Sequence, residues 1–335
     1  MQAAIYGPEG FELTREEQRF FRDADPAGFI LFRRNCESPE QLLRLTDSLR
    51  SLTGRDDLPI LIDQEGGRVA RMRPPVWPAF PAAERFANLY ELAPSSAIEA
   101  ARSNARALGL MLRSCGVNVD ALPLLDVRQE GATDIIGDRA LGNEPMQVAA
   151  LGRAVLDGLA SAGVVGIIKH IPGHGRALVD SHKELPVVSA SAEELESDLE
   201  PFERLASAPM GMTAHVVYTA WDPDRPATMS PIVIDQVIRG RIGFDGLLMS
   251  DDLGMEALQG DFGERAAGVI AAGCDVALHC SGKMEEMVGV ARAVPAMTAE
   301  GEARLARAMA TTMLEPEGPD FAETIAKRDT LLAMV

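Results

Sequence analysis

Apolar residues along the chain fall into short runs separated by longer amphipathic stretches. Eight runs have the length and aliphatic content of buried strands: AAIYG at 3–7, GFILF at 28–32, LPILID at 58–63, VNVDA at 117–121, VGIIK at 165–169, GMTAHVV at 211–217, GLLMS at 246–250 and CDVAL at 274–278. Between them apolar positions recur at helical spacing. Thr14-Arg15-Glu16-Glu17 forms a capping box that opens a first helix. The threonine hydroxyl accepts an orphan amide of the first turn, and the glutamate returns to the threonine amide. Ser38-Pro39-Glu40 opens a second helix, since proline at the first helical position forfeits only an N–H that has no intrahelical partner. Helical patterns continue over 95–114, 144–162, 231–242, 262–272 and 298–314, and Ser191-Ala192-Glu193-Glu194 starts another.

Eight strands alternating with helices predict an α/β fold, a single (β/α)8 TIM-type barrel. A doubly wound open sheet is the competing arrangement. No GxGxxG or GxxxxGK[ST] follows an early strand, which weakens its nucleotide-binding form. No internal repeat and no Pro/Gly/Ser hinge divides the chain. Residues 1–335 therefore read as one catalytic barrel domain, with 316–335 a candidate C-terminal tail.

The polar positions sharpen this picture. Asp63, Asp120, Lys169-His170, His215, Asp251-Asp252 and His279 all stand at or just past the C-terminal ends of the expected strands. In a barrel those ends share one rim, where substrates bind, so the bias predicts an enzyme. The segment KHIPGHGRALVDSH, 169–182, holds three of the chain's five histidines in a stretch broken by two glycines and a proline. It predicts a strand end followed by a loop over the mouth, with Gly173 and Gly175 giving the loop freedom to move. Asp180, two residues before His182, can accept the imidazole Nδ1–H and so set up an acid/base group.

Composition narrows the function classes. The net charge of −18 is spread along the chain, and such a surface repels phosphate backbones and anionic lipid. Nucleic-acid and membrane partners are therefore not expected. The N-terminus has no basic region followed by an apolar run, so no secretory signal is read there. Cys36, Cys115, Cys274 and Cys280 form no CxxC pair, and they read as reduced core thiols of a cytoplasmic protein.

Two chemistries fit a rim of this kind. In retaining glycoside hydrolysis Asp251 would be the strand-held nucleophile and His182 the proton donor. In metal-assisted hydrolysis His170, His174 and a carboxylate would be ligands. No HxH follows an early strand, and Lys169 beside a ligand histidine would oppose a cation, so the first is preferred.

Four segments carry a family resemblance: IDQEGGRVARM at 62–72, IIGDRALG at 135–142, KHIPGHGRALVDSH at 169–182 and MSDDLGMEAL at 249–258. Together, and in this order, they resemble the glycoside hydrolase family 3 β-N-acetylhexosaminidases of the single-domain bacterial type. The resemblance implies that Asp251 is the nucleophile and His182, paired with Asp180, the general acid/base. It implies that Asp63, Arg71, Arg139, Lys169 and His170 grip N-acetylglucosamine. The implied substrate is a terminal β-linked N-acetylglucosamine on a muropeptide or chito-type sugar in cell-wall recycling, with no cofactor and no obligate protein partner. Larger members borrow a carboxylic acid from a second domain for which this chain leaves no room, so the barrel itself is expected to supply the donor. Ile171 and Leu141 stand where phenylalanine is usual, and both read as packing changes. The alternatives are a β-glucosidase, a β-N-acetylglucosamine phosphorylase, or a non-catalytic sugar-binding barrel.

Overall fold

The computed structural model describes residues 1–129, 131–132, 134–313 and 315–335. Eight strands close into a barrel: β1 (Gln2–Tyr6), β2 (Pro26–Leu31), β3 (Ile60–Ile62), β4 (Val119–Asp120), β5 (Val165–Ile171), β6 (Met210–Thr213), β7 (Leu247–Asp252) and β8 (Val276–His279). Neighbours adjoin in chain order and every pair is parallel. Pairing of β1 with β8, Ala4 opposite Ala277 and Ile5 opposite Leu278, closes the ring and decides against the open sheet. Parallel strands covered by helices are buried on both faces, which is why their sequences read as continuous apolar runs. All seven residues of β5 are buried, Lys169 and His170 among them.

The helices are α1 (Arg15–Ala24), α2 (Pro39–Thr53), α3 (Ala83–Leu92), α4 (Pro94–Ser114), α5 (Pro145–Ser161), α6 (Glu196–Arg204), α7 (Phe262–Ala272), α8 (Met284–Ala293), α9 (Ala299–Met309) and α10 (Phe321–Leu332). The expected capping box opens α1: the Glu17 amide donates to Thr14 Oγ1 and the Thr14 amide to Glu17 Oε2. Ser38 caps α2 by accepting from the Gln41 amide.

Several elements differ from expectation. The strand expected over 211–217 leaves the barrel after Thr213. Val217–Tyr218 instead joins a small sheet with Val187–Val188 and Asp222–Pro226, so His215 lies in the connection beyond the strand. The helix expected from Ser191 begins at Glu196. Ser191 and Glu194 close a turn just before it, the Ser191 amide donating to the Glu194 carboxylate and the Glu194 amide to Ser191 Oγ. Residues 233–241 wind as a π-helix. Of the helical pattern over 298–314, α9 and a 3-10 turn account for 299–313, and position 314 lies outside the described residues. Within 316–335, the stretch read as a candidate tail, α10 packs on α4, with Arg328 Nη1 donating to Asn104 Oδ1.

The four thiols are unpaired, three of them buried and Cys36 half-buried. Among the described residues no helix is long and apolar enough to cross a membrane.

Candidate active site

The C-terminal ends of the strands surround a pocket of about 400 Å³. Asp63, Arg71, Arg139, Lys169, His170, His182 and Asp251 all line it. Asp180 stands behind His182, bonded to it. Ile30, Phe32, Met212 and Leu278 provide apolar wall.

Asp251 is carried by β7, whose preceding residues Leu247–Ser250 are buried, so its Cα position is set by the barrel itself. The Asp252 amide donates to Asp251 Oδ1 at 2.8 Å. Burial works to raise the Asp251 carboxyl. His215, His170, the Asp252 amide and His182 overcome it, and the carboxyl sits below its ordinary range. The side chain is therefore an ionised, oriented carboxylate. Asp252 accepts from the amides of Gly254 and Cys280, which makes it the cap of the following turn. His215 is fully buried and shares a hydrogen bond between Nε2 and the Asp252 carbonyl at 3.0 Å, which supports the main chain beneath this pair.

His182 is exposed on the loop after β5. Asp180 Oδ1 meets its ring Nδ1 at 2.9 Å and accepts its backbone amide at the same distance. Two bonds to one oxygen fix both the ring and the turn. Burial alone would raise the Asp180 carboxyl, but these two donors and the His182 charge lower it. With Nδ1 so engaged, Nε2 is the atom left for proton transfer.

The opposite wall is a buried charge network. Lys169 Nζ lies 2.7 Å from Glu65 Oε1 and 3.2 Å from Asp63 Oδ1. Arg139 holds Glu65 with two bonds, Nε to Oε2 and Nη2 to Oε1, both at 2.8 Å. Arg71 Nη2 donates to Asp63 Oδ2 at 3.0 Å and its guanidinium lies 5.0 Å from the Phe32 ring centre. Gln64 orients this strand end, accepting from the Arg71 and Met72 amides. Burial opposes charge on Glu65, yet Lys169 and Arg139 bring its carboxyl down to about 2. Asp63 is half-buried, and against its partial burial its carboxyl is lowered further by Lys169 and Arg71. Lys169 is raised in turn, with the two carboxylates outweighing its burial.

His170 is held by Asp126, a fully buried carboxylate on the segment after β4. Asp126 Oδ2 lies 2.7 Å from His170 Nδ1, while Oδ1 accepts the His170 and His174 amides at 3.2 and 2.6 Å. His174 Nε2 pairs with Ser181 Oγ at 3.1 Å, tying the two ends of the loop together. Burial lowers His174 to about 4, the neighbouring His170 adding to the fall, which suits a neutral structural imidazole.

Two functional carboxylates, Glu65 and Asp126, escape a reading of the sequence alone. Glu65-Gly66-Gly67 is a turn that aims Glu65 inward. Gly66 adopts φ 98°, and a Cβ there would lie 2.4 Å from the Pro81 carbonyl oxygen, so the turn demands glycine. Arg68 makes a half-exposed pair with Asp138 at 2.7 Å that joins two rim loops. The expected freedom of Gly175 is also corrected. A Cβ at Gly175 would fall 1.9 Å from the Val127 carbonyl oxygen, so this glycine serves close packing.

An ionised carboxylate on a rigid strand facing a loop-borne imidazole, in a cation-walled pocket at a barrel rim, is the constellation of a glycosidase. The glycosyl hydrolase family 3 N-terminal domain matches residues 5–311. A β-hexosaminidase of Alkalilimnicola ehrlichii is 40% identical over 308 residues, 90% of this chain and 87% of that protein. One from Bordetella avium is 38% identical over 277 residues, 81% of this chain and 78% of the relative. NagZ of Neisseria gonorrhoeae, solved in complex with N-trifluoroacetyl-D-glucosamine, superposes with a TM-score of 0.87 at 33% identity, covering 99% of this chain and 98% of that one. The chain belongs to glycosyl hydrolase family 3. As an enzyme it falls in the β-N-acetylhexosaminidase class of that family.

Proposed function

We propose that this protein is a retaining β-N-acetylglucosaminidase that releases terminal non-reducing N-acetylglucosamine from muropeptides in cytoplasmic cell-wall recycling. The observation that carries this reading is that Asp251 and the His182–Asp180 pair open on one pocket, the first fixed by β7 and the second borne on the loop. Asp251 attacks the anomeric carbon while His182 Nε2 gives its proton to the departing glycosidic oxygen. The bond to the aglycone breaks as the glycosyl–Asp251 ester forms. The neutral His182 then takes a proton from water, whose oxygen displaces Asp251 with net retention. Asp180 stabilises the imidazolium in the first step and keeps the same tautomer for the second. Asp63, Arg71, Arg139, Lys169 and His170 form the wall that binds the sugar, and its cations favour the ionised nucleophile.

The decisive experiment is trapping. A 5-fluoro-N-acetylglucosaminyl donor is expected to label the peptide containing Asp251, and a chromogenic β-N-acetylglucosaminide to give the β-anomer first. Label on another side chain, or an inverted product, overturns the assignment.

A further inference from the structure

The contacts of His170 go beyond what binding a sugar requires. Its ring is tied to a carboxylate that reaches no solvent, and that carboxylate also accepts two consecutive-turn amides, from His170 and His174. An ionised carboxylate is acceptor-only, so the hydrogen in the short Asp126–His170 contact belongs to Nδ1. Three donors converge on Asp126 and outweigh its burial; its carboxyl falls to about 2, and it is ionised at any working pH. Near the His170 ring lie Asp126 beneath it, the His174 ring edge-on at 5.8 Å between centroids, and His215 and Asp251. None of these offers a second acceptor to Nδ1.

We infer that Asp126 is a positioning residue that keeps the His170 proton on Nδ1, so that Nε2 meets the substrate as a hydrogen-bond acceptor for a sugar hydroxyl. The same carboxylate pins the first turn of the loop that carries His182, through the His174 amide. One buried group thus sets both the polarity of a binding atom and the origin of the catalytic loop. This inference rests on the proposed sugar-binding role of the pocket.

The isosteric variant Asp126→Asn separates the tautomer from the packing. Its Oδ1 still accepts the two amides. Its Nδ2 faces His170 Nδ1 and donates, which forces the proton to Nε2 and turns an acceptor into a second donor. Nitrogen-15 NMR of the histidine-labelled full chain, with His170 assigned by its loss in His170→Gln, is expected to show Nδ1–H in the native protein and Nε2–H in Asp126→Asn. On β-N-acetylglucosaminides the variant is expected to lose about 10- to 100-fold in kcat/KM, the effect of one mismatched hydrogen bond, at unchanged far-ultraviolet circular dichroism. An Nε2–H tautomer in the native protein overturns the inference, and this test needs no variant to fold. So does an Asp126→Asn protein with reversed tautomer and native kcat/KM. A native enzyme that cleaves no β-N-acetylglucosaminide would sink the proposed function instead, and would leave the tautomer measurement standing.

Discussion

Glu65 is the centre of the charge network, and replacing it by glutamine tests whether that network is held together by charge or by shape. Glu65→Gln keeps the volume and one acceptor oxygen. It leaves Lys169 with Asp63 as its remaining carboxylate and removes the bidentate partner of Arg139. Two routes give the magnitude. Breaking a buried pair by neutralising one member typically costs about 3–5 kcal/mol, because a cation is left buried without compensation. Independently, the fall of the Glu65 carboxyl from 4.5 to about 2 corresponds to about 3 kcal/mol of preference for the charged, folded form. The Glu65 side chain is only 5% exposed, so solvent screening takes little from that figure. For a chain of 335 residues the unfolding entropy makes one degree worth about 0.7 kcal/mol, so the melting temperature should drop by about 4 °C or more.

The pH dependence makes the test specific. A carboxyl lowered on folding stabilises the native state fully above its unfolded value of 4.5, and that contribution is lost as the pH falls from there towards 2. The gap in melting temperature between native protein and Glu65→Gln should be full at pH 7 and shrink steadily below pH 5. With two pocket cations displaced, kcat/KM should fall by about two orders of magnitude, the scale of an ångström-level misplacement. Calorimetric scans at pH 7, 5 and 4 check the first claim and chromogenic assays the second. A gap that is absent, or that is the same at pH 4 as at pH 7, refutes the view that Glu65 acts through its charge.

His182→Ala should slow substrates with poor leaving groups by about 10²- to 10⁴-fold and activated aryl glycosides far less, since only the former need a proton donor; equal losses on both would reduce His182 to a loop-shaping residue. Leu141→Phe should fill the cavity of about 30 Å³ that Leu141, Phe86, Leu122 and Val155 line beside Arg139. At about 24 cal/mol per Å³ that is worth about 0.7 kcal/mol, a rise of about 1 °C in melting temperature, and a fall would show the site to be already full. Burial raises Asp198 to about 6 against the pull of Arg176, so its contribution to stability falls as the pH rises from about 4 through about 6. In Asp198→Asn that part of the pH slope should vanish when urea midpoints are compared at pH 4.5 and 7.5; an unchanged slope would assign it elsewhere.

The parts of the site that sequence makes legible are those whose partners are neighbours along the chain. Asp180 and His182 are two residues apart, and a carboxylate–imidazole pair at that spacing can be read directly. Asp251 is legible because it ends an apolar run. Glu65 and Asp126 are not, because their contacts are distant: Arg139 is 74 residues beyond Glu65, and His170 is 44 beyond Asp126. A single sequence records that each is acidic, not what it faces. The helices divide in the same way. α1 and α2 carry side-chain caps and were expected, whereas α3 and α8 begin without a capping side chain and leave no local mark. α10 is different, for Asp320 and Glu323 form a capping box that was there to be read. Its buried residues are Thr324, Arg328 and Leu332, since α10 lies on α4 rather than on the barrel, and that largely polar buried face disguised it.

The loop of 171–182 shows how a local rule and a tertiary contact can give opposite meanings to one residue. Glycine permits motion, but it also permits contact, and the backbone of Val127 against Gly175 chooses the second. The rest of the loop base is fixed in the same spirit. Tyr218 donates its hydroxyl hydrogen to the Gly173 carbonyl at 2.6 Å, and Arg176 is bound to Asp198, the Glu194 carbonyl and Ser197. On the far side the Val217 amide donates to the Pro186 carbonyl. His182 therefore belongs to a span, 178–185, tethered at both ends, where Leu178 and His182 are exposed while 171–175 are buried. A tethered span reaches fewer positions than a hinged lid, so the entropy lost in bringing the imidazole to the glycosidic oxygen is small. Under the proposed mechanism, that is the physical use of rigidity at the base of a loop whose tip transfers a proton twice, in opposite directions, at one atom.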